Sequence, residues 1–304
     1  MIVVVCPGQG SQSPGFLTPW LELDGARDTL VAYSEAAEVD LIAAGTEWDA
    51  DAIRDTRVAQ PLIVAASMLS WQHLPGREQV RGVAGHSVGE LAALAISGVL
   101  EPLEAMRLVG VRGRAMAAAA ALESTGMSAI LGGAESDVLA RLAELSLTPA
   151  NYNGGGQIVA AGGLDALGVL AAEPLRGTRV VPLQVAGAFH TSYMTPAVAE
   201  LRSAADRVSA SDPALTLWTN STGATVADGD EALRLLVGQV ASPVRWDLCM
   251  AGFAEAGTTG LVELAPAGAL TGLAKRAMRG TPAVALKTPD DLEAAATLLS
   301  EENA

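Results

Sequence analysis

The pentapeptide Gly85-His86-Ser87-Val88-Gly89 has the residue types and spacing of a nucleophilic serine. It follows a short apolar stretch, 79–84, predicted as a strand, and it opens an apolar helix predicted over 88–99. A sharp strand-to-helix turn of this kind exposes a serine hydroxyl, and flanking glycines avoid clashes in the strained backbone. The helix N-terminus beneath Ser87 would favour negative charge on a bound carbonyl oxygen. The pattern therefore predicts an ester intermediate on Ser87.

The same residues also fit a routine helix start, because Ser87-Val88-Gly89-Glu90 is an S-x-x-E capping box. A capping box requires neither the two glycines nor a strand directly before it. These additional features favour the nucleophile turn.

A serine hydroxyl needs a base, and the chain has three histidines that could provide one. His86 adjoins the serine and is predicted to point elsewhere, and His73 ends an apolar helix and is interpreted as a surface residue. His190, within Gly-Ala-Phe-His-Thr at 187–191, is the candidate base. No acid stands at an evident strand end, unlike the order in α/β-hydrolases, so a carbonyl or amide oxygen could orient the imidazole instead.

An oxyanion formed on the substrate needs two amide donors. The backbone N–H of Val88, directly after the serine, is one candidate. The second is expected from the Pro-Gly-Gln-Gly-Ser-Gln loop at 7–12, which alternatively is a plain β-to-α turn. This loop lacks the Gly-Lys-Ser/Thr ending of a P-loop and the spacing of a dinucleotide site.

Composition excludes several classes of function. The chain has 304 residues and a net charge of −15, which argues against nucleic acid or an anionic membrane as partner. It has no apolar run near the ~18 to 20 residues that span a bilayer, and its start lacks a signal peptide's basic lead. With only two cysteines and no metal-ligand spacing, we expect a cytoplasmic protein without a metal site. The densest basic cluster, Lys275, Arg276 and Arg279, is either a solvated helix end or a surface for a phosphate or partner.

The order of predicted elements indicates an α/β fold. A buried parallel strand at the N-terminus and alternating helices and strands predict a large α/β-hydrolase-like core with a parallel sheet, over 1–124 and 188–304. The segment 125–187 reads β-α-β-β-α-β, the ferredoxin-like pattern, with Asn151-Tyr152-Asn153 separating its middle strands. An inserted subdomain of this kind leaves a cleft, where small-molecule sites usually lie.

Seven motifs together resemble the malonyl-CoA:acyl carrier protein transacylase family. In chain order they are PGQGSQ at 7–12, QP at 60–61, GHSVGE at 85–90, RG..M at 112–116, GQIVAAG at 156–162, GAFH at 187–190 and Q...PVRW at 239–246. The late segment LTGLAKR at 270–276 is also similar. The resemblance covers nearly the whole chain. Polyketide-synthase acyltransferase domains and malonate decarboxylase transacylases share the core motifs.

The resemblance implies a two-step exchange with no bound cofactor. Ser87, activated by His190, takes the malonyl group from malonyl-CoA and passes it to the phosphopantetheine thiol of acyl carrier protein. The backbone amides of Gln9 and Val88 match the oxyanion hole, and Gln239 matches the residue whose main-chain carbonyl orients the histidine. Fatty acid synthesis is the expected pathway and a monomer the expected state.

The resemblance also assigns residues to the acyl group. Arg112 matches an arginine that binds the malonyl carboxylate, a pairing that suits a bidentate guanidinium. Phe189 resembles the bulky residue that accompanies malonyl rather than methylmalonyl selection, and Gln60 matches a polar residue near the substrate. Because carrier proteins of the pathway are acidic, Lys275, Arg276 and Arg279 are expected to contribute to docking. The alternatives are a serine hydrolase of α/β-hydrolase or patatin type, and a subunit that only binds acyl-carrier partners.

Overall fold

A computed structural model describes residues 1–301, which form two β-sheets and the helices packed around them. The strands of this part of the chain are β1 (Ile2–Cys6), β2 (Gly82–Gly85), β3 (Thr125–Gly132), β4 (Thr148–Gly154), β5 (Gln157–Gly163), β6 (Thr178–Pro182), β7 (Thr216–Trp218), β8 (Thr225–Val226), β9 (Val244–Arg245), β10 (Gly260–Glu263) and β11 (Ala283–Ala285). The α-helices are α1 (Ala26–Ala37), α2 (Leu41–Thr46), α3 (Thr56–Gln72), α4 (Gly89–Ile96), α5 (Pro102–Ala120), α6 (Glu135–Glu144), α7 (Leu164–Ala172), α8 (Thr195–Ala205), α9 (Gly229–Gln239), α10 (Trp246–Glu255), α11 (Ala269–Ala277) and α12 (Leu292–Glu301).

The first sheet has the strand order β11-β10-β1-β2-β7-β8. Every residue of β1 is buried, as expected for an apolar strand covered by helices on both faces. Strands β1 and β2 run parallel, with Cys6 opposite Gly85. The loop after Cys6 and the turn after Gly85 therefore leave the sheet side by side at the same edge, where ligands bind in open α/β sheets.

The second sheet has the order β6-β3-β5-β4-β9. Strands β3 to β6 pair antiparallel, and α6 and α7 connect β3 to β4 and β5 to β6. Strand β9 comes from the chain beyond α9 and pairs parallel with β4, with Asn151 opposite Val244. The pairing brings the segment after α9 against the second sheet.

The core sheet is mainly parallel, as expected, with β8 pairing antiparallel with β7. The structure corrects two predictions about the second sheet. This sheet is not built from 125–187 alone, since β9 joins it. Asn151–Asn153 do not separate two strands but lie within β4, where register shifts accommodate them.

No helix within residues 1–301 is long and apolar enough to cross a membrane. Cys6 and Cys249 are both buried free thiols.

Candidate active site

The turn between β2 and α4 has the geometry that the glycine pattern predicts. A Cβ added to Gly85 would lie 2.0 Å from the carbonyl carbon of Gly89, and one added to Gly89 would lie 2.2 Å from the carbonyl oxygen of Cys6. Neither position can therefore accept a side chain. Ser87 has a φ of 55°, a left-handed conformation that is strained for serine. Backbone strain of this kind is typical of functional turns.

The capping-box interpretation of this turn is wrong. No side chain caps α4, and the backbone N–H of Ser87 donates to Asn220 Oδ1 at 2.7 Å rather than to Glu90. Asn220 also donates through Nδ2 to the carbonyl oxygen of Gly85 at 2.6 Å. Its side-chain amide therefore holds the strained turn at Gly85 and at Ser87 itself, in place of a local cap.

Ser87 and His190 form a hydrogen-bonded pair. Ser87 Oγ lies 2.7 Å from His190 Nε2, although the residues are 103 positions apart in sequence. His190 Nδ1 lies 2.9 Å from the main-chain carbonyl oxygen of Gln239, an acceptor that requires Nδ1 to carry the proton. That tautomer leaves Nε2 free to accept the serine proton. The geometry places serine, base and orienting carbonyl in the order that nucleophilic catalysis requires.

The imidazole is held in its neutral form. Burial lowers the pKa of His190 to about 3, and the positive charge of Arg112 contributes to the same shift. The side chain is therefore unprotonated over the whole neutral pH range. Its own titration adds no pH dependence near neutrality.

His86, which was expected to point away from the serine, contributes to the wall of the catalytic cavity. Its Nε2 lies 2.9 Å from Asn153 Oδ1 on β4. The ring also packs edge-on against Trp246. These contacts join the serine turn to the second sheet. His73, at the C-cap of α3, is not among the residues lining the cavity.

The serine opens into a cavity of about 500 Å³ between the two sheets. One wall comes from the loop after β1 and the serine turn, and the opposite wall from the second sheet and from α11. The lining residues include Gly8, Gln9, Gly10, Met127, Asn151, Asn153, Gln157, Val159, Leu183, Val185, Phe189, Leu270, Leu273 and Arg276. The cavity combines an apolar surface with a few polar groups, as small-molecule sites usually do.

Gln9 and Val88 occupy positions that suit an oxyanion hole. Gln9 lines the cavity beside Ser87, on the loop that leaves β1 next to the serine turn. Its side chain donates to the carbonyl oxygen of Arg54 at 3.4 Å, which ties this loop to the start of α3. Val88 is the N-cap of α4, so its N–H is one of the first amides of that helix.

Arg112, Gln60 and Gln239 form a buried layer behind the cavity rather than part of its lining. Arg112 is only 1% exposed, and its two terminal nitrogens donate to Gln60 Oε1 at 2.7 Å and Gln239 Oε1 at 2.8 Å. Its Nε has no hydrogen-bond partner. The nearby negative charge is that of Glu90, which is separated from the guanidinium by the Gln239 side chain. Burial lowers the pKa of Arg112 to about 10, so it remains charged at neutral pH. A buried cation without a paired anion is costly unless a ligand provides one.

The predicted site residues divide into two groups. Those assigned to catalysis and the acyl group lie together: Ser87, His190, Gln239, Arg112 and Gln60 are connected by hydrogen bonds, and Gln9 and Phe189 line the same cavity. The basic cluster lies on α11 and the turn after it. There Lys275 and Arg279 are exposed, whereas Arg276 lines the cavity and donates to Gln157 Oε1 at 2.9 Å.

Several residues of the site were not predicted from the sequence. Asn220 and Glu90 contact the serine turn or Gln239, and Asn151, Asn153 and Gln157 line the cavity. Gln157 lies within a motif that the family resemblance had identified, which could have singled it out. Asn220 had no local signal, because its partners are distant in sequence.

A serine on a strand-turn-helix elbow, paired with a histidine in a cleft, is the arrangement of proteins that carry acyl groups on serine. The chain belongs to the acyl transferase family: the family described as Acyl transferase domain matches residues 3–296. It is an acyltransferase.

Individual relatives agree with this assignment. A Mycobacterium tuberculosis protein named malonyl CoA-acyl carrier protein transacylase is 51% identical, over 98% of this chain and 100% of its own length. The crystal structure of MCAT from Mycobacterium tuberculosis superposes with a TM-score of 0.94, covering 97% of this chain and 99% of that one. A complex described as a type II PKS acyl-carrier protein with its malonyl-transacylase includes a chain 28% identical, with a TM-score of 0.91, over 98% of this chain and 99% of that one.

Proposed function

We propose that this protein transfers the malonyl group from malonyl-CoA to the phosphopantetheine thiol of acyl carrier protein, supplying fatty acid synthesis. The observation that carries the proposal is the buried, unpaired guanidinium of Arg112 directly behind the Ser87–His190 pair, bridged to it by Gln239. An acyl group ending in a carboxylate would provide an anion bonded directly to the guanidinium, which Glu90 does not. The full-length similarity to proteins named for this reaction supports the same substrate.

In the first step Ser87 Oγ attacks the thioester carbonyl carbon while its proton passes to His190 Nε2. Negative charge develops on the carbonyl oxygen, and the backbone N–H groups of Gln9 and Val88 would stabilise it. Collapse of the tetrahedral intermediate breaks the carbon–sulfur bond. The histidine then returns the proton to the departing thiolate, which leaves coenzyme A and a malonyl ester on Ser87.

The second step reverses these roles. His190 accepts the proton of the carrier's phosphopantetheine thiol, and the sulfur attacks the malonyl ester carbonyl. The carbon–oxygen bond to Ser87 breaks, and His190 Nε2 protonates the serine oxygen. The enzyme returns to its starting state. The imidazole acts as base and then as acid in each half-reaction, which its neutral resting state permits.

Binding of the malonyl carboxylate would use the unpartnered Nε of Arg112 together with one terminal nitrogen. The terminal nitrogens are already bonded to Gln60 and Gln239, so one of these amides must yield its hydrogen bond. Gln60 can yield more readily, because the Gln239 amide is also held through Nε2 by Glu90 and by the carbonyl oxygen of Ser87. Phe189, which is buried beside His190 and lines the cavity, would limit the space beside the malonyl methylene.

Intact-protein mass spectrometry tests the transfer. Incubation with malonyl-CoA is expected to add one malonyl group to the protein, and addition of carrier protein bearing its phosphopantetheine arm is expected to remove it. Loss of the adduct should be much faster with the carrier than without it. A hydrolase would lose the adduct equally fast in both cases, and a subunit that only binds carriers would form none.

Carrier docking is proposed to use the basic cluster on α11, at the edge of the cavity. Charge reversal of Lys275 or Arg279 is expected to raise KM for the carrier about two- to fivefold, because such surface charges mainly steer association. Acylation by malonyl-CoA should not change, since both side chains are exposed and do not line the cavity. Arg276 is unsuitable for this test because it contacts Gln157 within the cavity. Arg207→Glu, an exposed charge reversal in the turn after α8, is the matched control, and unchanged carrier kinetics in both cluster variants would contradict the proposal.

The domain organisation is also a proposal. We assign 125–187 to an inserted ferredoxin-like subdomain and 1–124 with 188–304 to a hydrolase-like core. The strand order β6-β3-β5-β4 and the two connecting helices support the first assignment, and the parallel strands around β1 support the second.

A further inference from the structure

Glu90 is a buried carboxylate that the reaction described above does not use. It lies in the first turn of α4, three residues after the nucleophile, and it is only 6% exposed. Its two oxygens accept from different partners: Oε1 from the backbone N–H of Asn220 at 2.5 Å, and Oε2 from the side-chain Nε2 of Gln239. Both partners also contact the catalytic pair or the turn that carries it.

The contacts of Glu90 determine how the Gln239 side chain is oriented. A guanidinium can only donate hydrogen bonds and an ionised carboxylate can only accept them. Gln239 lies between the two, with Oε1 toward Arg112 at 2.8 Å and Nε2 toward Glu90. Its amide therefore has a single orientation that satisfies both neighbours. Without the carboxylate, the amide would lose the charged acceptor that opposes Arg112.

Gln239 also contacts the catalytic histidine and serine, so fixing its side chain helps to hold the whole residue in place beside them. The main-chain carbonyl of Gln239 accepts from His190 Nδ1 at 2.9 Å, and its side-chain Nε2 also lies 3.1 Å from the carbonyl oxygen of Ser87. Through Asn220, Glu90 reaches the serine turn by a second route, since Asn220 Oδ1 accepts from the backbone N–H of Ser87 at 2.7 Å. The carboxylate of Glu90 is thus connected to His190 through Gln239 and to Ser87 through Asn220.

We propose that Glu90 is a positioning residue that acts through Gln239 and Asn220, aligning His190 with Ser87 and holding Arg112 ready for the substrate's carboxylate. Among the described residues, no carboxylate contacts His190 directly. Glu90 supplies a buried carboxylate that acts on the histidine indirectly, through Gln239. The second part of this inference rests on the proposed malonyl transfer, whereas the alignment of serine and histidine does not.

The ionised form of Glu90 is the one that fits these contacts, because both partners are donors. Protonation would direct an O–H toward one of them and remove an acceptor. Burial raises the pKa of Glu90 to about 7, against the opposing effects of the Asn220 N–H and the charge of Arg112. The other titratable group facing it is Cys249 on α10, and burial raises the pKa of that thiol, so it is neutral near pH 7.

These relations predict an acid limb in the pH profile. The wild-type kcat/KM for acylation by malonyl-CoA should fall as the pH drops through about 7, where Glu90 takes up a proton. His190 cannot produce this limb, because its pKa lies near 3. The malonyl carboxyl cannot either, because ordinary carboxylic acids titrate near pH ~4.

The test compares Glu90→Gln, Glu90→Asp and wild type. Glu90→Gln should lower kcat/KM about 10²-fold at neutral pH, the usual cost of misplacing reacting groups by about an ångström. It should also abolish the acid limb. Glu90→Asp keeps the charge but shortens the side chain by one methylene, so it should recover part of the activity and retain an acid limb.

The matched control is Ser97→Ala, which removes a buried hydroxyl at the far end of α4. It should lower the melting temperature without changing kcat/KM or the pH profile.

A neutral fluorophosphonate that labels active serines provides a second readout, because it needs the Ser87–His190 pair but no carboxylate. Its rate should also fall in Glu90→Gln. If wild type is not acylated by malonyl-CoA but this labelling depends on Glu90, the proposed substrate fails and the positioning role stands. The positioning role is overturned if Glu90→Gln keeps the acid limb or reacts within about twofold of wild type with both reagents. If Glu90→Gln does not fold, a wild-type rate and pH profile in Glu90→Asp overturns it.

Discussion

Replacement of Ser87 by alanine is expected to lower kcat/KM for malonyl transfer by roughly 10⁴- to 10⁶-fold, and replacement of His190 by alanine to cause a loss of similar order. The reason is geometric: the two side chains form one hydrogen-bonded unit, with 2.7 Å between Ser87 Oγ and His190 Nε2. Ser87→Ala removes the atom that carries the acyl group. His190→Ala leaves the hydroxyl without a proton acceptor.

The double variant makes this prediction specific. Because the two groups act as a unit, Ser87→Ala with His190→Ala should be no slower than the slower single variant, not slower by the product of both factors. Rates would be measured as transfer from malonyl-CoA to the carrier in a single turnover, with thermal melts to confirm that each variant is folded. Multiplying losses would show that the residues act independently. A malonyl adduct on Ser87→Ala would show that another residue carries the acyl group.

The parts of the site fixed by local sterics could be predicted from the sequence. Gly85 and Gly89 are required because any side chain there would collide with the backbone, so the turn is encoded in five consecutive residues. The apolar run of β1 and its Pro-Gly exit are equally local. His190 was found by elimination among three histidines and by the GAFH motif. Its Nε2 lies 2.7 Å from Ser87 Oγ, within hydrogen-bonding distance.

The remaining features depend on contacts between distant parts of the chain. Glu90 matches a capping box by spacing, but in the folded protein its partners are 130 and 149 residues away. The local spacing predicts a capping box, but the contacts with distant residues determine where the Glu90 side chain lies. Strand β9 has only two residues, too few to show an alternating pattern, and it is recognised only by pairing with β4. Asn151 and Asn153 resemble turn residues by type, and only the sheet shows that they face the cavity.

Replacement of Arg112 by alanine is expected to change which acyl groups the enzyme accepts. Malonyl transfer should fall about 10²- to 10³-fold, the range expected when one partner of a buried charge pair is removed. Acetyl transfer should fall by a much smaller factor, because an acetyl group has no carboxylate to pair with the guanidinium. The ratio of malonyl to acetyl transfer should therefore drop.

Arg112→Lys is the matched variant for this prediction. It retains a positive charge near His190 but loses the planar, bidentate geometry that binds a carboxylate. It should lower malonyl transfer but keep more of the preference for malonyl over acetyl groups than Arg112→Ala does, because a cation remains to attract the carboxylate. Single-turnover acylation by malonyl-CoA and acetyl-CoA, followed by mass spectrometry of Ser87, separates these outcomes. If malonyl and acetyl rates fall by the same factor in Arg112→Ala, the arginine serves the fold or Gln239 rather than the substrate, and carboxylate recognition must lie elsewhere in the cavity.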